Sequence, residues 1–202
     1  MNSYYSNEEL QSIGFAKIGT NVLISKKASI YSPHKISIES NVRIDDFVIL
    51  SGRILIRNYV HIAPYSGIFA GDVGVEFNDF SGLSGNVMVY AITDDYSGKF
   101  LVGPTVPDEF RGITSKKIIL NKHCHVGTWS VLLPGAILKT GASLGAMSMV
   151  YNRKMPEWSF CSGIPAKKIS DREKIESLRL EKKLLEKIDN AWEKSLRWMK
   201  NQ

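Results

Sequence analysis

Residues 36–69 read ISIESNVRIDDFVILSGRILIRNYVHIAPYSGIF, and every sixth residue from Ile38 is a large aliphatic: Ile38, Ile44, Leu50, Ile56, Ile62, Ile68. The same step runs upstream through Ile18, Ile24 and Ile30. It resumes at Leu120, Val126, Leu132, Leu138, Leu144 and Val150. Four residues after most of these stands a small or β-branched residue, among them Val42, Val48, Ser66, Ser130, Ala136, Ala142 and Ser148. A step of six matches neither the 3.6 of a helix nor the plain alternation of a half-buried strand. It fits short strands joined by sharp corners, each hexad sending one large and one small side chain inward. Three such strands close a triangular coil, and coils stack at the strand spacing of about 4.8 Å. An all-β solenoid is expected.

Composition narrows the setting. With 202 residues the chain has room for one domain plus an appendage. Hydrophobic residues at 44% and charged residues at 23% describe an ordinary globular protein rather than a disordered chain. The excess of 26 Lys and Arg over 20 Asp and Glu mildly favours anionic partners without identifying one. Two Cys and 16 Gly exclude a disulfide framework, a multi-Cys zinc module and collagen. No apolar run approaches membrane-spanning length; the best, residues 131–150, carries Pro134 and Lys139. The polar start MNSYYSNEEL reads as no signal peptide, so a reducing cytoplasm is the expected location, with no membrane and no nucleic acid as partner.

Two segments depart from the hexads. Residues 8–14 read as a short helical turn that caps the open end of the coils. From 171 to 202, Ile175, Leu178, Leu185, Ile188, Trp192, Leu196 and Met199 recur at three- and four-residue steps between basic side chains. That pattern predicts one amphipathic helix or two. The expected division is therefore a β-helical domain over 1–170 and a helical segment over 171–202.

Within the solenoid the register vanishes over 91–117, AITDDYSGKFLVGPTVPDEFRGITSKK. A long excursion inside a compact solenoid is usually functional or disordered, and its Tyr96, Phe100 and Phe110 speak against disorder. It has no His; its ionisable candidates are Asp94, Asp95 and Glu109. Paired acids in a turn are also ordinary turn formers. As a base, a carboxylate is weak for a hydroxyl group and better suited to an amine, which sheds a proton as it attacks. His123 and His125 stand two apart, so one strand would point both to the same face. With His61 or Cys124 they offer an incomplete metal set, and no metal is expected. Cys124 and Cys161 read as buried inert thiols. Ser84 is polar where a coil should be regular: an ordinary corner serine, or a donor to substrate or to the acid.

The hexads resemble those of left-handed β-helix acyltransferases. Val126–Gly135, VGTWSVLLPG, resembles that family's penultimate coil, and Ser162–Ile169, SGIPAKKI, its closing G-x-P-A-K motif. The likeness covers roughly residues 14–170. The Tyr-Tyr-Ser start and the Asp-Asp-Tyr-Ser-Gly loop are similar to nucleotide-linked sugar N-acyltransferases, in particular to those of the anthrose pathway acting on dTDP-4-amino-4,6-dideoxyglucose.

The resemblance implies a left-handed parallel β-helix, a homotrimer, and an excursion loop lining a site shared between neighbours. It implies acyl-CoA as co-substrate and a nucleotide sugar as acceptor. Coenzyme A would lie along the C-terminal coils, over Gly127, Gly145 and Ala146, with Arg153, Lys167 and Lys168 meeting its phosphates. Asp94 is the preferred base and Asp95 the second, with Ser84 and His125 near the reaction. Tyr96, Glu109 and His123 would serve the acceptor. The galactoside and xenobiotic branches place a catalytic His in the loop; its absence here favours N- over O-acylation. An O-acetyltransferase of a capsule or lipopolysaccharide sugar is the alternative within the fold, and a carbonic-anhydrase-like metal protein or a silent assembly protein lies beyond it.

Overall fold

The structure, a computed structural model, describes residues 3–200, with side chains described through 188. The chain forms two compact units, Met1–Asp171 and Arg172–Gln202. The first is a parallel β-solenoid of about seven turns. One face is a seven-stranded ladder from Lys17–Ile18 to Lys154–Met155, a second runs from Val22–Ile24 to Ser159–Gly163, and a third from Ser29–Tyr31 to Met149–Val150. The second face is extended by Ala166–Asp171, which pairs antiparallel with Ser159–Gly163.

Each hexad repeats because like stacks on like. Ile38 lies beside Ile56, Ile56 beside Phe77, Phe77 beside Leu120, and Leu120 beside Leu138. All five are fully buried, each contributing roughly 1.5–3 kcal/mol relative to exposure. Ser66, Ser130, Ala136, Ala142 and Ser148 are also buried. They fill the inner corners, where two faces converge and leave little room. Two of these serines are satisfied by the neighbouring backbone: the Ser66 hydroxyl donates to Ser84 O, and the Ser130 hydroxyl to Gly145 O.

The corners are built from residues in the left-handed region. Between the first and second faces, Asn21, Asn41, Tyr59, Phe80, His123 and Trp158 all have φ between 46° and 61°. Such a conformation costs a non-glycine residue about 1–2 kcal/mol. It turns each backbone N–H into the neighbouring coil, where Phe80 donates to Asn58 O and His123 to Asp79 O. The rings then stack down the corner, Tyr59 on Phe80 at 4.7 Å and Phe80 on His123 at 5.2 Å.

At the N-terminal end a helix, Asn7–Ser12, starts on a capping box. Ser6 Oγ accepts from Glu9 N–H, Glu9 Oε2 accepts from Ser6 N–H, and Leu10 joins the core. In the second unit one helix, Ile175–Lys200, stands where the periodicity allowed one or two. Its Ile175, Leu178, Leu185 and Ile188 are exposed; the side chains of Trp192, Leu196 and Met199 lie outside the described residues. Among the described residues no helix is long and apolar enough to cross a membrane.

Candidate active site

Between the last strand of the third face before the register breaks, Met88–Tyr90, and the strand that restores it, Ile118–Leu120, the chain leaves the coil. Ile92–Asp94 and Ile113–Ser115 form an antiparallel pair in which Asp94 lies opposite Ile113. Beyond this stem come a bridge between Leu101 and Arg111 and a 3-10 turn, Asp108–Phe110. The stem opens onto a cleft of about 790 Å³, lined by Tyr90, Ile92, Thr93, Asp94, Asp95, Tyr96, Thr114, Leu133 and Tyr151. It lies at the corner where the third face passes to the first.

The two adjacent acids have different work. Asp94 sits on the strand, and Arg111 Nη2 donates to its Oδ1 at 2.9 Å, the two side chains being 14% and 17% exposed. Arg111 Nη1 reaches Asp108 Oδ1 at 3.1 Å. Asp94 Oδ2 has no hydrogen-bond partner among the described residues. The guanidinium thus holds the carboxylate by one oxygen and leaves the other to the cleft. Asp95 closes the turn: its N–H donates to Gly112 O at 2.8 Å, and its Oδ1 accepts the Ser97 N–H at 2.6 Å. That backbone bond, with the Ser97 hydroxyl, holds its carboxyl below the usual carboxylate range. Tyr96, 80% exposed, forms the rim. Glu109 is exposed on the 3-10 turn and lines a separate depression with Phe100 and Phe110.

The two histidines do not share a strand face as their spacing suggests. His123 is a left-handed corner residue, φ 61°, with its ring between Phe80 and Trp158. The physical reason is the corner itself, which breaks the alternation at His123, two residues before the strand His125–Val126 begins. His125 is exposed on the second face, beside Gly82 and Ser143. Ser84 is exposed at the corner between the second and third faces, its N–H donating to Val126 O.

That same corner carries Gly127, Gly145 and Ala146. A Cβ on Gly127 would come within 2.5 Å of Ala146 N, and one on Gly145 within 2.9 Å of Ser162 Oγ. Coil stacking therefore demands Gly127, which faces backbone, whereas Gly145 faces side chains that can shift. Ala146 is exposed. Lys167 and Lys168 follow on the added strand of the second face, Lys168 paired with Asp171 at 2.7 Å and Lys167 in no ion pair among the described residues. Arg153 is exposed near Tyr151, at the corner that bears the cleft.

Within one chain the structure brings Asp94, Asp95 and Tyr96 together, with Arg153 on the same corner. It places Ser84, Gly127, Gly145 and Ala146 along a different corner, with His125 and the two lysines on the adjoining face. Arg111, Tyr90, Leu133 and Tyr151 escaped the sequence reading. For Arg111 a signal existed: ITDD and RGITS are both β-prone and can pair across the loop. Both cysteines are buried thiols. Among the described residues no three His, Cys, Asp or Glu side chains gather as a metal set.

Stacked hexads on three faces, interrupted by one cleft-forming hairpin, define a hexapeptide-repeat β-solenoid of the acyltransferase type. No family model matches the chain. It is 41% identical over 175 residues to the dTDP-4-amino-4,6-dideoxy-D-glucose acyltransferase of Escherichia coli, covering 85% of this chain and 90% of that protein. AntD, an N-acyltransferase from Bacillus cereus, in complex with dTDP and 3-hydroxybutyryl-CoA, superimposes with a TM-score of 0.90 at 46% identity, covering 94% of this chain and 100% of that one. Its S84A mutant, in complex with dTDP-4-amino-4,6-dideoxyglucose and coenzyme A, matches equally at 0.90 and 46%, covering 93% and 100%. The chain belongs to the family of dTDP-4-amino-4,6-dideoxy-D-glucose acyltransferases.

Proposed function

We propose that this chain transfers an acyl group from acyl-CoA to the 4-amino group of dTDP-4-amino-4,6-dideoxyglucose. The observation that carries the reading is the near-full-length likeness to an enzyme named for that sugar, together with AntD complexes holding coenzyme A and the dTDP sugar. The cleft agrees with it chemically, because the bases in its lining are the carboxylates of Asp94 and Asp95, beside tyrosines, rather than a His.

The reaction is direct. The sugar nitrogen attacks the thioester carbonyl carbon, the N–C bond forms, the C–S bond breaks, and coenzyme A leaves as thiolate. The proton lost by nitrogen passes to Asp94 Oδ2 and from there to the thiolate sulfur. Arg111 holds Asp94 by Oδ1 and leaves Oδ2 aimed into the cleft, as a general base must be. Asp95, fixed in its turn, shapes the loop that presents Tyr96 to the acceptor. AntD mutants at Ser84 and Asp94 were studied with these ligands, and serine and aspartate carry the same numbers here, which supports placing both near the transferred group.

The solenoid is left-handed in this proposal and assembles as a cyclic trimer. A trimer suits the division of the candidate groups between two corners: the loop of one subunit closes over Ser84, His125 and the C-terminal coils of its neighbour. In that groove Gly145 and Ala146 leave backbone accessible to the pantetheine arm. Lys167, Lys168 and Arg153 serve the phosphates, and His123 and Glu109 contribute to the acceptor side. A cytoplasmic location follows from both substrates being soluble nucleotides.

The test offers purified protein and acyl-CoA a matched pair of acceptors, the 4-amino and the 4-hydroxy dTDP sugars. Free thiol released with the amine alone is the expected result. Release with the hydroxyl sugar and not the amine would overturn N-acylation in favour of O-acylation.

A further inference from the structure

A second cluster of ionisable groups lies outside the cleft, on the N-terminal half of the second face. Asp45, only 5% exposed, follows the strand Val42–Ile44. Arg43 Nε donates to its Oδ1 at 2.6 Å, the Tyr4 hydroxyl reaches the same oxygen at 3.3 Å, and His61 Nε2 lies 2.6 Å from Oδ2. Arg43 and His61 are lateral partners on adjacent strands, about 4.8 Å apart at the backbone. Their side chains are 55% and 51% exposed. Arg43 also shares a hydrogen bond with Tyr4, and among the described residues no hydrogen bond engages the Nδ1 of His61.

As a stabilising device this arrangement is poor, since half-exposed cations gain little from pairing and burying a carboxylate is costly. Its physical effect is to fix direction. One buried carboxylate grips the inner edge of both side chains, and the Tyr4 ring backs the guanidinium at 6.0 Å. The outer edges are held side by side as ready donors, and the end of a guanidinium fork matches two phosphate oxygens. The neighbouring rung is Gly82, with no side chain, and His125 closes the row, its Nδ1 3.6 Å from where a Gly82 Cβ would stand. At the adjoining corner Phe47 and Tyr65 stack at 5.0 Å, 46% and 53% exposed, a step on which a planar base can lie.

We propose that Arg43 and His61, clamped by Asp45, form a phosphate-recognition subsite for a nucleoside phosphate, with the Phe47–Tyr65 step receiving its base. The proposal rests on the functional reading above, which supplies two sources of that chemistry: the diphosphate of the acceptor and the phosphates of coenzyme A.

Calorimetric titration of the full chain with dTDP alone and with coenzyme A alone tests it, on wild type, Arg43→Gln, His61→Gln and Arg43→Lys. Arg43→Lys keeps the charge beside Asp45 and loses the fork, so its melting temperature should match wild type even where Arg43→Gln unfolds. The expected result is a Kd raised about tenfold or more for one ligand with the other unchanged, the loss anticipated for a charge-assisted bond. Weakened dTDP assigns the subsite to the acceptor; weakened coenzyme A assigns it to the donor. Unchanged affinity for both in folded variants overturns the subsite and leaves the functional reading intact. Loss of oligomer mass in light scattering with unchanged affinity also overturns it, making the pair a contact between copies. A wild-type chain that binds neither ligand overturns the functional reading, and the subsite with it.

Discussion

At the scale of single residues the proposed mechanism rests on Asp94 and Arg111, and each has a distinct expected phenotype. Asp94→Asn keeps the shape of the stem and removes the base, so kcat should fall roughly 10²- to 10⁴-fold with little change in melting temperature. Near-normal turnover across pH would remove Asp94 from that role. Arg111→Met frees the carboxylate from the guanidinium that holds its Oδ1, and the loss should fall mainly on kcat, with partial rescue by added guanidinium. Asp45 has a different signature, in stability. Burial pushes its carboxyl up, but the His61 and Arg43 bonds outweigh this and hold it below the ordinary value. A depressed carboxylate contributes stability that is present above its unfolded pKa, about 3.9, and lost as pH falls through the folded one. Urea midpoints of wild type and Asp45→Asn should therefore differ most near neutrality and converge in acid. A gap that stays constant to low pH would contradict that account. None of these pairings is legible in sequence: Arg43 and Asp45 are near neighbours, but His61 joins them only because coils stack, and Asp94 meets Arg111 only because the loop folds back.

Elements show why the fold read so well from hexads and the loop so poorly. Ile38, Ile44 and Leu50 are buried because a hexad leaves one large side chain no direction but inward, so the pattern is written directly in the chain. The coil holding Phe77, Leu83 and Val89 is fully buried or nearly so and runs in the same step, yet it stands three residues out of register with Ile68. The turn over 71–74 absorbs the difference, and a search for one unbroken step passes over it. The corners are hidden for another reason. Tyr59, Phe80 and Trp129 adopt a left-handed backbone that their side chains disfavour, sustained by bonds between coils that local propensity does not register. The hairpin stem is independent of the ladder, since Val75–Phe77 pairs with Ile118–Leu120 and Met88–Tyr90 with Val131–Leu132 across the excursion. Replacing residues 97–109 by a short Gly-Ser linker should therefore change the melting temperature by only a few degrees while kcat/KM collapses. A variant that fails to fold would show that the excursion helps build the solenoid. Gly127→Ala predicts the reverse. Its Cβ would press on the Ala146 backbone, costing about 1–3 kcal/mol as overpacking does, and thermal melts should show it.

At the scale of the whole molecule, the solenoid holds the candidate base Asp94 on one corner and Ser84, Gly127, Gly145 and Ala146 on another. The proposed trimer would join them, and light scattering at micromolar concentration should then return three times the chain mass; a monomer would leave the two corners unable to cooperate. Activity restored by mixing Asp94→Asn chains with chains altered at the neighbour-facing Ser84 would show directly that one site draws on two subunits. What the assembly is for rests on where the acyl group goes. The most direct measurement is the nuclear magnetic resonance spectrum of the product formed from acyl-CoA and dTDP-4-amino-4,6-dideoxyglucose by the wild-type protein. The account predicts a new amide N–H coupled to the proton at sugar carbon 4, with every hydroxyl unmodified; an ester at a hydroxyl carbon with the amine left free would contradict it.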